Sequence, residues 1–161
     1  MSITLSLPDG VMRRLEQLAR KAGASVEELV IVAVDKTFHA LDPSEKPLVH
    51  LRLCEKYLHE AKALLERRDS VQASEKAWGA ASQIVKALAA KEGRELRSHR
   101  ELWEYISELR RRRNDPEVSA LWSRANTLHT NLYEDWMPLD EVELSMRDVE
   151  RLVEKLRGLM S

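Results

Sequence analysis

From Leu51 to Leu156 the apolar side chains recur every three or four residues, and only short polar stretches interrupt them. That spacing lines them along one face of an α-helix and does not fit the two-residue period of a strand. Leu51, Cys54, Leu58, Ala61 and Leu65 make one stripe over residues 46–67, which the turn RRDS ends. Ala77, Ala81, Ile84 and Leu88 make a second over 70–91, alanine-rich enough for a neighbouring backbone to come close, and Gly93 stops it. Ser98 and Glu101 have the spacing of a capping box for SHRELWEYISELRRRR, with Leu102, Trp103, Ile106 and Leu109 expected to face inward. Asp115 and Pro116 read as the N-cap and first residue of the next helix. Asp140 reads as the cap of the last, whose buried side carries Val142, Met146, Val149, Val153 and Leu156. Amphipathic helices joined by short loops pack antiparallel, so residues 43–161 are expected to form an all-α, up-and-down helical bundle.

The first residues follow a different rule. SITLSL alternates strictly, with Ile3, Leu5 and Leu7 on one side and Ser2, Thr4 and Ser6 on the other, the period of a short strand with one buried face. Asp9 is expected to cap a helix that Gly23 ends, and Ser25 with Glu28 to open a second helix reaching about Phe38. Asp42, Pro43, Ser44 and Pro47 mark a junction, which divides the chain into a segment over 1–42 and a bundle over 43–161. A single strand needs another to pair with, and the natural partner is the same strand of a second copy. The stretch ITLSLPDGVMRRLEQLARKAGASVEELVIVAV resembles the ribbon-helix-helix fold, in which two such strands pair across a dimer. The resemblance implies that Thr4 and Ser6 face the major groove of DNA. Neither is a residue suited to bidentate base contacts, so dimerisation through residues 2–7 is the stronger expectation.

Net charge gives no global pull toward nucleic acid or membrane, because 26 basic residues oppose 27 acidic ones. Its distribution is uneven: residues 1–46 carry a net −1, 47–113 a net +5 and 114–161 a net −5. Arg110, Arg111, Arg112 and Arg113 are the densest positive run, and they complement a helix C-terminus as readily as they would meet a phosphate backbone. The single cysteine, Cys54, rules out an internal disulfide and a thiolate zinc cluster. No secretory leader or membrane-length apolar run is evident, so a cytoplasmic protein with no membrane contact is expected. Glu55 and His59 have a metal-ligand spacing but no third ligand converges on them, and no phosphate-binding glycine loop or nucleophile elbow occurs. Neither a metal nor a cofactor is expected.

The stretch VQASEKAWGAASQIVKALAAKEGRELRSHRELWEYISEL, with LHTNLYEDW further on, is similar to the PaREP family, crenarchaeal helical proteins related to the HEPN superfamily. This second resemblance implies a HEPN-like four-helix core that dimerises. Catalytic HEPN proteins are metal-independent ribonucleases that use an arginine and a histidine four to six residues apart. The spacing occurs here as Arg124 to His129 and as Arg94 to His99. By order along the chain the first pair matches better, with Asn126 and Tyr133 beside it. A histidine can move the proton of a 2′-hydroxyl while an arginine holds the phosphate as charge builds on it. Helical geometry argues against contact within one copy: five residues turn about 140 degrees net, so Arg124 and His129 lie on different faces. His129 instead repeats with Trp122 and Trp136 every seven residues, in a face where it would serve as a hydrogen-bonded structural side chain. His99 falls at a helix start, where backbone amides can hold a phosphate.

The leading expectation is therefore a homodimeric, nucleic-acid-associated protein of toxin-antitoxin-like type, binding RNA or DNA through Arg110–Arg113 and through Thr4 and Ser6. A metal-independent endoribonuclease and a non-catalytic helical interaction module are the alternatives.

Overall fold

The computed structural model describes residues 1–161 as seven helices: α1 (Asp9–Ala22), α2 (Val26–Phe38), α3 (Lys46–Glu66), α4 (Ser70–Lys91), α5 (His99–Arg113), α6 (Pro116–Glu134) and α7 (Leu139–Gly158). The last five form the expected bundle. Its centre is α4, which packs against α3 along its length and against α5, α6 and α7. Fourteen of its 22 residues are buried, so it keeps only a narrow solvent face. The small side chains of Ala73, Ala77, Ala80, Ala81, Ala87 and Ala89 make that possible, since they let several helices reach one axis without overpacking. Around them Leu102, Tyr105, Ile106, Val118, Trp122, Leu128, Val149, Leu152 and Leu156 close a single core.

Local chemistry sets most of the boundaries. Gly23 ends α1 at φ 62 and Asn114 ends α5 at φ 49, both left-handed caps. The Ser25, Asp69, Ser98 and Asp115 side chains accept backbone N–H groups at the starts of α2, α4, α5 and α6. At the end of α6 the buried Asn131 accepts from the Trp136 and Met137 amides and donates to Ser74 Oγ at 2.9 Å. One amide side chain thus ends a helix and ties it to α4.

Several expectations are corrected. Residues 2–7 form no strand, and Ile3 and Leu5 stand 84% and 59% exposed. A strand is held by hydrogen bonds to a neighbouring strand, and no other segment of this chain offers one. Thr4 and Ser6 therefore lie in exposed, non-helical chain rather than on a sheet. Asp9 and Asp140 are not caps: α1 and α7 begin after Pro8 and Pro138, and the two carboxylates sit in the first turn, where the helix dipole favours them. Trp103, expected inward, is 42% exposed.

The bend between α1 and α2 rests on the bundle through polar groups. Lys86, 2% exposed at its side chain, donates to both Glu28 carboxylate oxygens at 2.8 Å and to the Gly23 carbonyl at 2.7 Å. Burial lowers the Lys86 pKa from its ordinary value, and the Glu28 charge opposes that. Gln83 Nε2 donates to Glu28 at 2.7 Å, and Gln83 Oε1 faces His50 Nδ1 at 2.7 Å. Ser25 and Tyr57 share a hydroxyl hydrogen bond of 2.6 Å. A lysine and a glutamate this deep are stable only because each is charge-paired and hydrogen-bonded.

Candidate functional site where α1, α4, α5 and α6 meet

The Ser98 cap makes His99 the first residue of α5 and turns its ring toward the C-terminal end of α1. His99 Nε2 donates to the Arg20 carbonyl at 3.1 Å, so that nitrogen carries the hydrogen. Gly23 allows the approach: a Cβ there would lie 3.5 Å from the His99 amide nitrogen and 3.4 Å from Leu102, at a positive φ. From α6, His129 stacks on His99 with ring centroids 5.0 Å apart and on Trp78 of α4 at 4.1 Å. Tyr133, one turn on, stands edge-on to His129 at 5.4 Å, and the Arg20 guanidinium lies over the Tyr133 ring at 5.6 Å. Two imidazoles, an indole, a phenol and a guanidinium from four helices thus share one seam. Within it His129 Nδ1 and Trp78 Nε1 are shut off from solvent and have no hydrogen-bond partner in the chain.

The two arginine–histidine pairs therefore assemble in an unexpected combination. Each arginine turns away: Arg124 pairs with Asp148 of α7 at 3.2 Å, and Arg94 pairs with Glu108 at 2.9 Å and lies over Tyr105. Asn126 donates to the Trp122 carbonyl of its own helix at 2.9 Å, not to His129. The two histidines, thirty positions apart, are what meet. In the arginine run, Arg112 is held by Glu92 at 2.9 and 3.1 Å and Arg111 reaches Ser107 at 3.0 Å, while Arg110 and Arg113 have no carboxylate partner. Cys54 is fully buried, which pushes its thiol up to about 12 and removes it as a nucleophile. Trp78 and Arg20 were not singled out in the sequence. Trp78 has a signal, an indole inside an alanine-rich helix, whereas nothing local marks Arg20.

Burial, and next the charge of His99, lower the His129 pKa to about 4. Above about pH 6.5 the ring is neutral whether the chain is folded or not, and it changes nothing. Below that the unfolded chain binds a proton that the folded chain refuses, so stability is lost as pH falls from about 6.5 toward 4. The groups facing the ring are His99, Trp78 and Tyr133, with Arg20 over the Tyr133 ring, and none is a carboxylate that could hold an imidazolium. Discounted for partial solvent access, the expected loss is about 1 to 2 kcal/mol. Urea unfolding at pH 7 and pH 5 should show it, and His129→Phe should make the dependence shallower, leaving the share that buried His50 carries; an unchanged slope would contradict the assignment.

The fold and this seam define an all-helical bundle protein with an aromatic and imidazole cluster between its helices. The chain belongs to the archaeal PaREP1/PaREP8 family, whose model matches residues 49–153. It is similar to a protein from Sulfolobus solfataricus of known crystal structure, with 29% identity and a TM-score of 0.61 over 68% of this chain and 97% of that one. No curated protein matches it. No helix is long and apolar enough to cross a membrane.

Proposed function

We propose that the chain is a homodimeric, nucleic-acid-associated protein of toxin-antitoxin-like type, and that a single strand lies along α5. The observation that carries this is the row Arg100, Trp103 and Arg110, spaced i, i+3 and i+10 and so on one side of the helix. Trp103 stands 42% exposed between the two cations and rests edge-on against Trp122 at 6.0 Å. A supported, half-exposed indole is a platform for a base, and the flanking guanidinium groups suit its phosphates. What supports the dimer is Ile3, Leu5, Leu7, Met12, Val34 and Phe38, a set of large apolar side chains left exposed on the N-terminal segment.

Anisotropy of labelled single-stranded RNA and DNA at 50 and 200 mM salt tests the reading. Binding should weaken steeply with salt, Arg110→Ala should reduce the logarithmic salt slope by about one, and Trp103→Ala should cost roughly tenfold or more in affinity. Absent or salt-insensitive binding would overturn it and leave the helical interaction module.

The His99–His129 stack favours one second reading, a metal-independent HEPN-type ribonuclease. Neutral His129 would accept the 2′-hydroxyl proton, an imidazolium form of His99 would give its Nδ1 hydrogen to the departing 5′-oxygen while its Nε2 hydrogen stays on the Arg20 carbonyl, and Arg20 is the cation of the seam that would hold the phosphate. RNA cleavage in the presence of chelator, lost in a folded His129→Ala variant, supports it. Cleavage that survives the substitution removes His129 from the reaction.

A further inference from the structure

Between α2, α3 and the start of the α4–α5 connection lies a cleft of about 450 Å³, lined by none of the side chains of the imidazole seam. Leu29, Val32, Leu41, Val49 and Leu96 give it aliphatic wall, charged side chains line it as well, Lys46, Glu95 and Arg97 among them, and Glu28, Lys86 and His50 bring in one end of the buried polar network. The α2–α3 connection beside it is fixed, since Asp35 Oδ1 accepts from the Leu41 amide at 2.9 Å, and Lys46 at the start of α3 ties Asp35 to Glu95 of the α4–α5 connection at 3.6 and 3.2 Å. A cleft of this size, with aliphatic wall and polar groups fixed by one another, suits a small organic ligand.

The network dictates what this polar end offers. A carboxylate only accepts, so the Gln83 atom on Glu28 must be the amide nitrogen, and its oxygen must then face His50. That oxygen also only accepts, so His50 Nδ1 carries the hydrogen. His50 Nε2 is left with a lone pair and has no hydrogen-bond partner in the chain, although it is not sealed from solvent. Burial lowers the His50 pKa from its ordinary value, which keeps that lone pair free near neutral pH. Lys86, committed to Glu28 and the Gly23 carbonyl, holds the whole relay in this orientation.

We propose that this cleft binds a small, mainly apolar molecule bearing a hydroxyl group, which donates its hydrogen bond to His50 Nε2 while the aliphatic walls enclose the rest. No part of this depends on the nucleic-acid reading, which concerns the outer side of α5. Calorimetric titration of the full chain with 2-naphthol and with 2-methoxynaphthalene tests it, because the two share a ring system and differ in the donor. Apolar burial alone would favour the ether. The phenol should bind roughly five- to tenfold more tightly. His50→Phe should erase that preference, and Val32→Trp, which fills the cleft, should abolish binding of both. Equal affinities, tighter binding of the ether, no binding of 2-naphthol, or a preference that survives His50→Phe would each overturn the proposal. The wild-type comparison decides even if a variant fails to fold.

Discussion

Lys86→Ala is expected to lower folding stability by about 3 to 5 kcal/mol, among the largest effects of any single substitution in this chain. The substitution strands two groups and opens a void: the Glu28 carboxylate loses its counter-charge, the Gly23 carbonyl loses a donor, and a long buried side chain leaves its space empty. Glu28→Ala should be damaging for the mirror-image reason, since it leaves an ammonium group with only one carbonyl. The double substitution Glu28→Met with Lys86→Met should be much milder than the sum of the single losses, because a pair of matched apolar residues needs no partner. Urea unfolding of the three variants measures this. A Lys86→Ala variant within 1 kcal/mol of wild type would mean that the pair is not shut away from water.

Trp122→Ala should cost a comparable amount, about 3 to 5 kcal/mol, by removing the largest fully buried side chain of the bundle. The chemistry of the loss can be resolved with a second variant. Trp122 Nε1 is buried with no hydrogen-bond partner, so Trp122→Phe forfeits packing area but sheds an unsatisfied donor. It should cost roughly half as much as the alanine variant. If the phenylalanine variant were as unstable as the alanine one, the indole nitrogen would have to be bonded after all. Both substitutions should also disturb Trp103, which leans edge-on against this ring, and so should weaken the binding proposed for α5 without touching a cation.

The helices were legible because their ends are written locally. Ser25, Asp69, Ser98 and Asp115 announce starts, Gly23 announces an end, and the three-to-four spacing between them leaves little choice of structure. SITLSL shows the limit of such reading. Its alternation records which side chains would share a face, but a strand exists only through hydrogen bonds to something else, and a pattern within one segment cannot supply that. Trp103 was assigned inward for a related reason: it neighbours Leu102 in sequence, and one residue is 100 degrees of helix, enough to carry it to the surface.

The candidate site was half legible. Both histidines were singled out, but each beside its own arginine, since motifs are read along the chain. Their meeting depends on how α5 and α6 pack, which the local pattern does not contain. Gln83 and Lys86 were missed because they sit in a run, ASQIVKALAA, whose apolar majority already accounts for a buried helix. A polar residue on such a helix declares its importance only once its partner, Glu28, arrives from 58 positions away.

The α1–α2 hairpin is fastened at its bend, by Gly23, Ser25 and Glu28, while Val34 and Phe38 at the far end of α2 are left outside. The same helix contributes Leu29 and Val32 to the cleft wall. It therefore carries an exposed apolar pair and one wall of the cleft on a single helix, held at both ends, by Glu28 on Lys86 and by Asp35 on Leu41 and Lys46. A ligand in the proposed cleft site and a second copy on the exposed pair would touch the same helix, so a contact of one that favours a particular placement of α2 would alter the affinity of the other. Thermodynamic reciprocity makes the two influences equal in size.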